Sequence, residues 1–182
     1  MPVRVIASQY TDGPTLTAAA AATALASYVP TTLPAGYWQI GRTWRLSASG
    51  RISNVITTPG TARFDLRLAA VVAFDTLAMP LNIVAKTNVP WFLEVLLTCR
   101  SVGSGTSATL FGQGWWRSEA SILTPAAATG PGPGGQSVPY NTAPVVGTGF
   151  DSTAALALNF HFTQTVATGS MTMHQFLIEE LV

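Results

Sequence analysis

The stretch TARFDLRLAAVVAF (residues 61–74) decides how the rest of the chain is read. Phe64, Leu66 and Leu68 alternate with Arg63, Asp65 and Arg67, and Ala70, Val72 and Phe74 continue the apolar phase. A period of two belongs to a β-strand with one face on a core, because successive side chains leave the backbone on opposite sides. The apolar row predicts one long strand. The opposite row begins charged and ends as Ala69, Val71 and Ala73, so it predicts a strand wet at one end and covered at the other. Arg45, Arg51 and Glu94 are the expected ionic neighbours of its charged end.

The same period recurs on both sides. In TWRLSASGRIS, Trp44, Leu46, Ala48 and Ile52 alternate with polar residues. After Pro90, Trp91, Leu93, Val95, Leu97 and Cys99 share one face, while the other face (Phe92, Glu94, Leu96, Thr98, Arg100) is itself half apolar. Leu81, Ile83 and Ala85 suggest a shorter strand, and Leu156, Leu158, Phe160 and Phe162 a late one, before the closing SMTMHQFLIEELV. Turn residues separate these runs at Thr58-Pro59-Gly60 and Gly103-Ser104-Gly105. About eight strands without helix–strand alternation predict an all-β fold: an antiparallel β-sandwich, with jelly-roll order expected.

Two segments stand outside this pattern. Residues 1–30 read as an N-terminal arm with a short alanine-rich helix from Leu16 to Ser27, capped by Thr15 and ended by Pro30 and Pro34. That helix superficially resembles a signal-peptide core. Asp12, Gly13 and Pro14 separate it from Arg4, and alanine makes a weak apolar core, so it is expected to belong to the fold. The sandwich is expected over 31–182, interrupted by a Pro/Gly-rich loop at 124–149.

Composition narrows function. Only 9 of 182 residues are Lys or Arg and 8 are Asp or Glu, a charged share of 9% against about 25% in ordinary soluble proteins. Five Trp, eight Phe and four Tyr are too many aromatics for a disordered chain. No run approaches the roughly 18 apolar residues of a membrane helix. The net charge of +1 provides no basic field for nucleic acid. A surface so poor in charge is suited to being covered by neighbours in an assembly.

Catalytic and metal patterns are sparse. His161 and His174 are too few to gather zinc ligands, and Cys99 is in phase with core residues, as a small buried hydrophobe would be. Glu179 and Glu180 are adjacent and point to opposite faces. The glycine clusters lack a phosphate-loop ending, and Gly112 and Gly114 mark a bulge or close backbone approach within a strand. The chain is therefore expected to be no enzyme and to need no metal or cofactor. Trp38, Trp44 and Trp91 read as core, whereas adjacent Trp115 and Trp116 must face opposite ways. An outward tryptophan is an interface anchor or, in the rival reading, a sugar platform. Arg63, Asp65, Arg67, Trp115, Trp116, Tyr140 and Phe150 are the interface candidates.

Three segments carry a family resemblance: VPTTLPAGYWQIGRTWRLSASGRISNVITTPGTARFDLRL (29–68), TNVPWFLEVLLTCRSVGSGTSATLFGQG (87–114) and GTGFDSTAALALNFHFTQTVATGSMTMHQFLIEEL (147–181). Together they resemble tailed-bacteriophage virion structural proteins of the capsid decoration (cement) type. The resemblance implies a jelly-roll sandwich on the capsid surface that forms homotrimers and has the major capsid protein as its partner. Val3, Val5, Ile6, Tyr10, Leu16 and Leu25 in the N-terminal arm are then the capsid-anchoring candidates. The rival function is a tail or head-fibre domain that binds host glycan.

Overall fold

A computed structural model of the chain describes residues 3–17, 21–25, 32–55, 59–122, 134–165 and 169–181. Twelve strands are formed among them: β1 (Val3–Ser8), β2 (Ala22–Thr23), β3 (Thr32–Leu33), β4 (Thr43–Asn54), β5 (Thr61–Leu68), β6 (Val71–Asp75), β7 (Met79–Pro80), β8 (Lys86–Ser101), β9 (Thr109–Ser118), β10 (Gly134–Val138), β11 (Leu156–Gln164) and β12 (Ser170–Leu181). The larger sheet runs β1-β12-β4-β8-β9-β10. The smaller runs β2-β11-β5-β6, with β3 added on β11 and β7 on β5. Every pairing is antiparallel. The sandwich is as the alternation predicts, and jelly-roll order stays part of the family reading.

The predicted inward rows are the core. Trp44, Leu46, Ala48 and Ile52 of β4, Trp91 to Cys99 of β8, and Leu156 to Phe162 of β11 are buried at alternate positions. Phe64 of β5 joins the layers: its ring centroid is 5.0 Å from Trp91 and 6.2 Å from Trp116 across the sandwich. Within its own sheet it stacks on Phe160 at 5.7 Å. Such contacts add orientation to what area burial alone supplies.

Five expectations are corrected. No helix forms in the alanine-rich segment among its described residues. Leu16 exchanges backbone hydrogen bonds with Met171, and Ala22–Thr23 pairs with β11. Alanine's helix propensity amounts to only tenths of a kcal/mol per residue, and long-range pairing that buries Ala24 and Leu25 overrides it. Residues 18–20 and 26–30 lie outside the described residues. The N-terminal arm is likewise no separate arm, because β1 is an integral edge strand paired with β12.

The stretch 61–74 is a hairpin, not one strand. Leu68 pairs with Val71 across Ala69-Ala70, and Ala69 takes φ 53°. An alanine there replaces the Gly or Asn that would have announced the turn. Ala70 is consequently exposed, Val72 is half-buried, and the buried residues of β6 are Ala73 and Phe74. Leu81, Ile83 and Ala85 form no strand; the short strand is Met79–Pro80, and Ile83 is exposed. Within 124–149, Gly134–Val138 pairs with β9, and 124–133 lies outside the described residues.

Candidate functional site

The charged row of β5 is satisfied within its own sheet. Arg63 Nε donates to Asp75 Oδ1 at 2.8 Å, and Arg67 Nε donates to Asp65 Oδ1 at 2.5 Å. Hydrogen bonding to these carboxylates raises both guanidinium pKa values. Asp65 is only 1% exposed. His161 lies opposite Asp65 on β11, and burial, reinforced by the nearby Arg67 charge, pushes its pKa down. The expected partners Arg45, Arg51 and Glu94 sit on the other sheet, where Arg45 pairs with Glu179. The row is an intramolecular network, with no open carboxylate to act as an acid or base.

A second polar cluster closes one end of the sandwich. Trp44 Nε1 donates to Tyr37 Oη at 2.8 Å, and Tyr37 Oη donates to Glu180 Oε2 at 3.0 Å. Arg42 Nε lies 2.7 Å from Glu180 Oε1, and its guanidinium covers the Tyr37 ring at 4.3 Å. Burial pushes the Tyr37 hydroxyl up to about 12. Glu180 points inward to this cluster and Glu179 outward to Arg45, the opposition expected of adjacent strand residues.

The other candidates separate by burial. Trp116 and Phe150 are core residues, the latter 5.9 Å from Trp38, which corrects their reading as interface residues. Tyr140 packs against the core while partly exposed. Of the anchoring candidates, Ile6 and Leu25 are buried and Leu16 is half-buried against the core, so none of these three is free to reach a partner. Val3, Val5 and Tyr10 are exposed. Cys99 is buried, and that burial raises its thiol pKa. Among the described residues, no three His, Cys, Asp or Glu side chains gather as metal ligands.

The outer face of the larger sheet holds a cleft where polar and aromatic side chains converge. Register aligns Ser8, Leu177, Ser47, Glu94, Trp115 and Ser137 in one row across six strands. The next outward row holds Gln175, Ser49, Phe92 and Arg117. Small serines on β4 between larger residues of β12 and β8 leave a trough of about 440 Å³. Gly114 sets its geometry: a Cβ there would lie 1.9 Å from the Glu94 carbonyl oxygen, so only glycine lets β9 bring Trp115 beside Glu94. The exposed Phe92 and Leu96 were legible as the half-apolar outer face of β8. Ser47, Ser49 and Gln175 carry no local signal, because only cross-strand register brings them together.

Comparison with known proteins finds no matching family model, no matching curated protein and no matching solved structure.

Proposed function

We propose that this chain is a non-enzymatic structural component of a tailed-bacteriophage particle. It is a decoration (cement) protein that self-associates as a homotrimer on the capsid surface and braces the major capsid protein. The sequence resemblance motivates the family, and the scarcity of charge motivates the assembly. The observation that carries the reading is β1. It is an edge strand of the larger sheet whose Val3 and Val5 are exposed, the latter by 56%. An edge presents unpaired backbone groups, and proteins ordinarily blunt such edges with Lys, Pro or a bulge. Here Val3–Ser8 contains neither Lys nor Pro, and its protection is Arg4 and the bulge between Val5 and Ala7. Strand addition or apolar cover from a neighbouring subunit would complete it.

Truncating the N-terminus is a poor test, because β1 contributes Ile6 and Ala7 to the core and the segment just after β2 contributes Ala24 and Leu25. A Val3→Lys/Val5→Lys variant keeps those residues. It is expected to retain its circular dichroism while binding to heads stripped of the protein falls about tenfold or more. Native mass measurement is expected to give a trimer. Unchanged head binding, or a monomer at micromolar concentration, rejects the proposal.

A further inference from the structure

The trough on the outer sheet face is chemically unlike the β1 edge. Its floor is Ser47 and Ser49, one wall is Phe92, Glu94 and Trp115, and the other is Gln175 and Leu177. Its volume of about 440 Å³ falls within the roughly 300–1,000 Å³ of small-ligand clefts. We infer that the trough binds a neutral oligosaccharide, with a sugar ring on Trp115 and hydroxyls held by Glu94, Ser47 and Gln175.

Trp115 is 45% exposed, whereas Trp38, Trp44, Trp91 and Trp116 are buried. Arg117, 5.4 Å from the Trp115 ring centroid, helps to fix the attitude of the indole. An aromatic face set beside hydrogen-bonding groups matches the two sides of a pyranose, whose C–H face is apolar and whose rim is hydroxyl. Glu94 is exposed, and its carboxylate makes no hydrogen bond or ion pair among the described residues, so both oxygens are open to adjacent hydroxyls. Gln175 Oε1 accepts from Ser49 Oγ at 3.0 Å, leaving its amide N–H groups as donors. Gln9 also lines the trough. Its Nε2 donates to the carbonyls of Thr11 and Met173, while Oε1 is buried without a partner among the described residues. The trough thus offers acceptors on β8 and donors on β12, with the serine hydroxyls of β4 between them, adjacent strands lying about 4.8 Å apart.

Other occupants fit less well. A phosphate or nucleic acid would meet the Glu94 carboxylate, while of the neighbouring arginines Arg45 is engaged by Glu179 and Arg117 lies against the Trp115 ring. A peptide strand would find no backbone partners, because β4 and β8 are hydrogen-bonded on both sides. A neutral polyhydroxyl chain lying across the strands remains.

The test titrates the full chain with cellotetraose, chitotetraose, maltotetraose and mannotetraose, read by tryptophan fluorescence and calorimetry. Saturable binding of at least one, with Kd of about 1 mM or tighter, is expected. Trp115→Ala and Glu94→Gln should each weaken it by about tenfold or more, and Ser47→Tyr, which fills the trough, should abolish it. The Val3→Lys/Val5→Lys variant should bind sugar normally, which separates this site from the β1 edge. The inference is overturned if none of the four saturates by about 10 mM, or if Trp115→Ala binds as well as the unaltered chain. Preference for heparin tetrasaccharide over all four would equally overturn the assignment to neutral sugar.

Discussion

Arg67 and Asp65 lie two residues apart on one face of β5, with Arg67 Nε 2.5 Å from Asp65 Oδ1. The carboxylate is buried while the guanidinium side chain keeps 26% exposure, so the arginine acts as a lid over the acid. Arg67→Ala is therefore expected to destabilise the fold by about 1–3 kcal/mol, chiefly by leaving a buried carboxylate short of a donor. An Asp65→Asn/Arg67→Met double variant should recover part of that loss. Urea unfolding of the unaltered chain, Asp65→Asn, Arg67→Met and the double variant measures the coupling. Equal, additive effects would reduce the pair to an ordinary surface contact.

The Tyr37–Glu180 hydrogen bond ties the segment before β4 to the C-terminal strand. Tyr37→Phe removes the acceptor for Trp44 Nε1 and a donor to Glu180, with an expected cost of about 1–3 kcal/mol. Glu180→Ala should cost more, about 3 kcal/mol, because Arg42 and Tyr37 both lose their partner. Denaturant midpoints at constant slope decide the order.

Gly114→Ala places a methyl group against the backbone of Glu94 and Val95. Two hydrogen-bonded strands would have to part, at an expected cost of about 1–3 kcal/mol. Thermal unfolding measures the loss. The emission of Trp115, the exposed tryptophan, should shift as β9 moves off β8.

Ala69→Gly is expected to act in the opposite direction. Ala69 holds φ 53° at an exposed hairpin turn, a region glycine enters without steric penalty. Stability should rise by about 0.5–1 kcal/mol, net of the added freedom of the unfolded chain. A lower melting temperature would contradict it.

His161 predicts the acid side of the stability profile. Its folded pKa lies below the ordinary value of 6.5, because burial and then Arg67 disfavour the charged ring, with Asp65 opposing them. The unfolded chain therefore binds the proton more readily. The contribution of His161 is intact above pH 6.5 and is lost as pH falls toward the lower folded value. Urea midpoints of His161→Gln should vary less over that window than those of the unaltered chain.

The period-two rows of β4, β8 and β11 were legible because pleating is local: each strand fixes which of its own side chains share a face. That local rule also put Glu179 and Glu180 on opposite faces and Cys99 inside. It could not choose which of Trp115 and Trp116 looks outward, nor show that Asp65 is sealed beneath Arg67. It also ran through Ala69-Ala70 without seeing a turn, since no Gly or Asn marks it.

The sequence by itself determined an all-β chain with defined inward rows and a surface poor in charge. Only the tertiary structure decided that Val3–Ser8 is a sheet edge and that Ser47, Glu94, Trp115 and Gln175 border one trough. The reason is separation along the chain. Pairings such as Leu16 with Met171 and Ser47 with Leu177 are made between segments far apart in sequence, and no local pattern encodes which distant strand a given edge will meet.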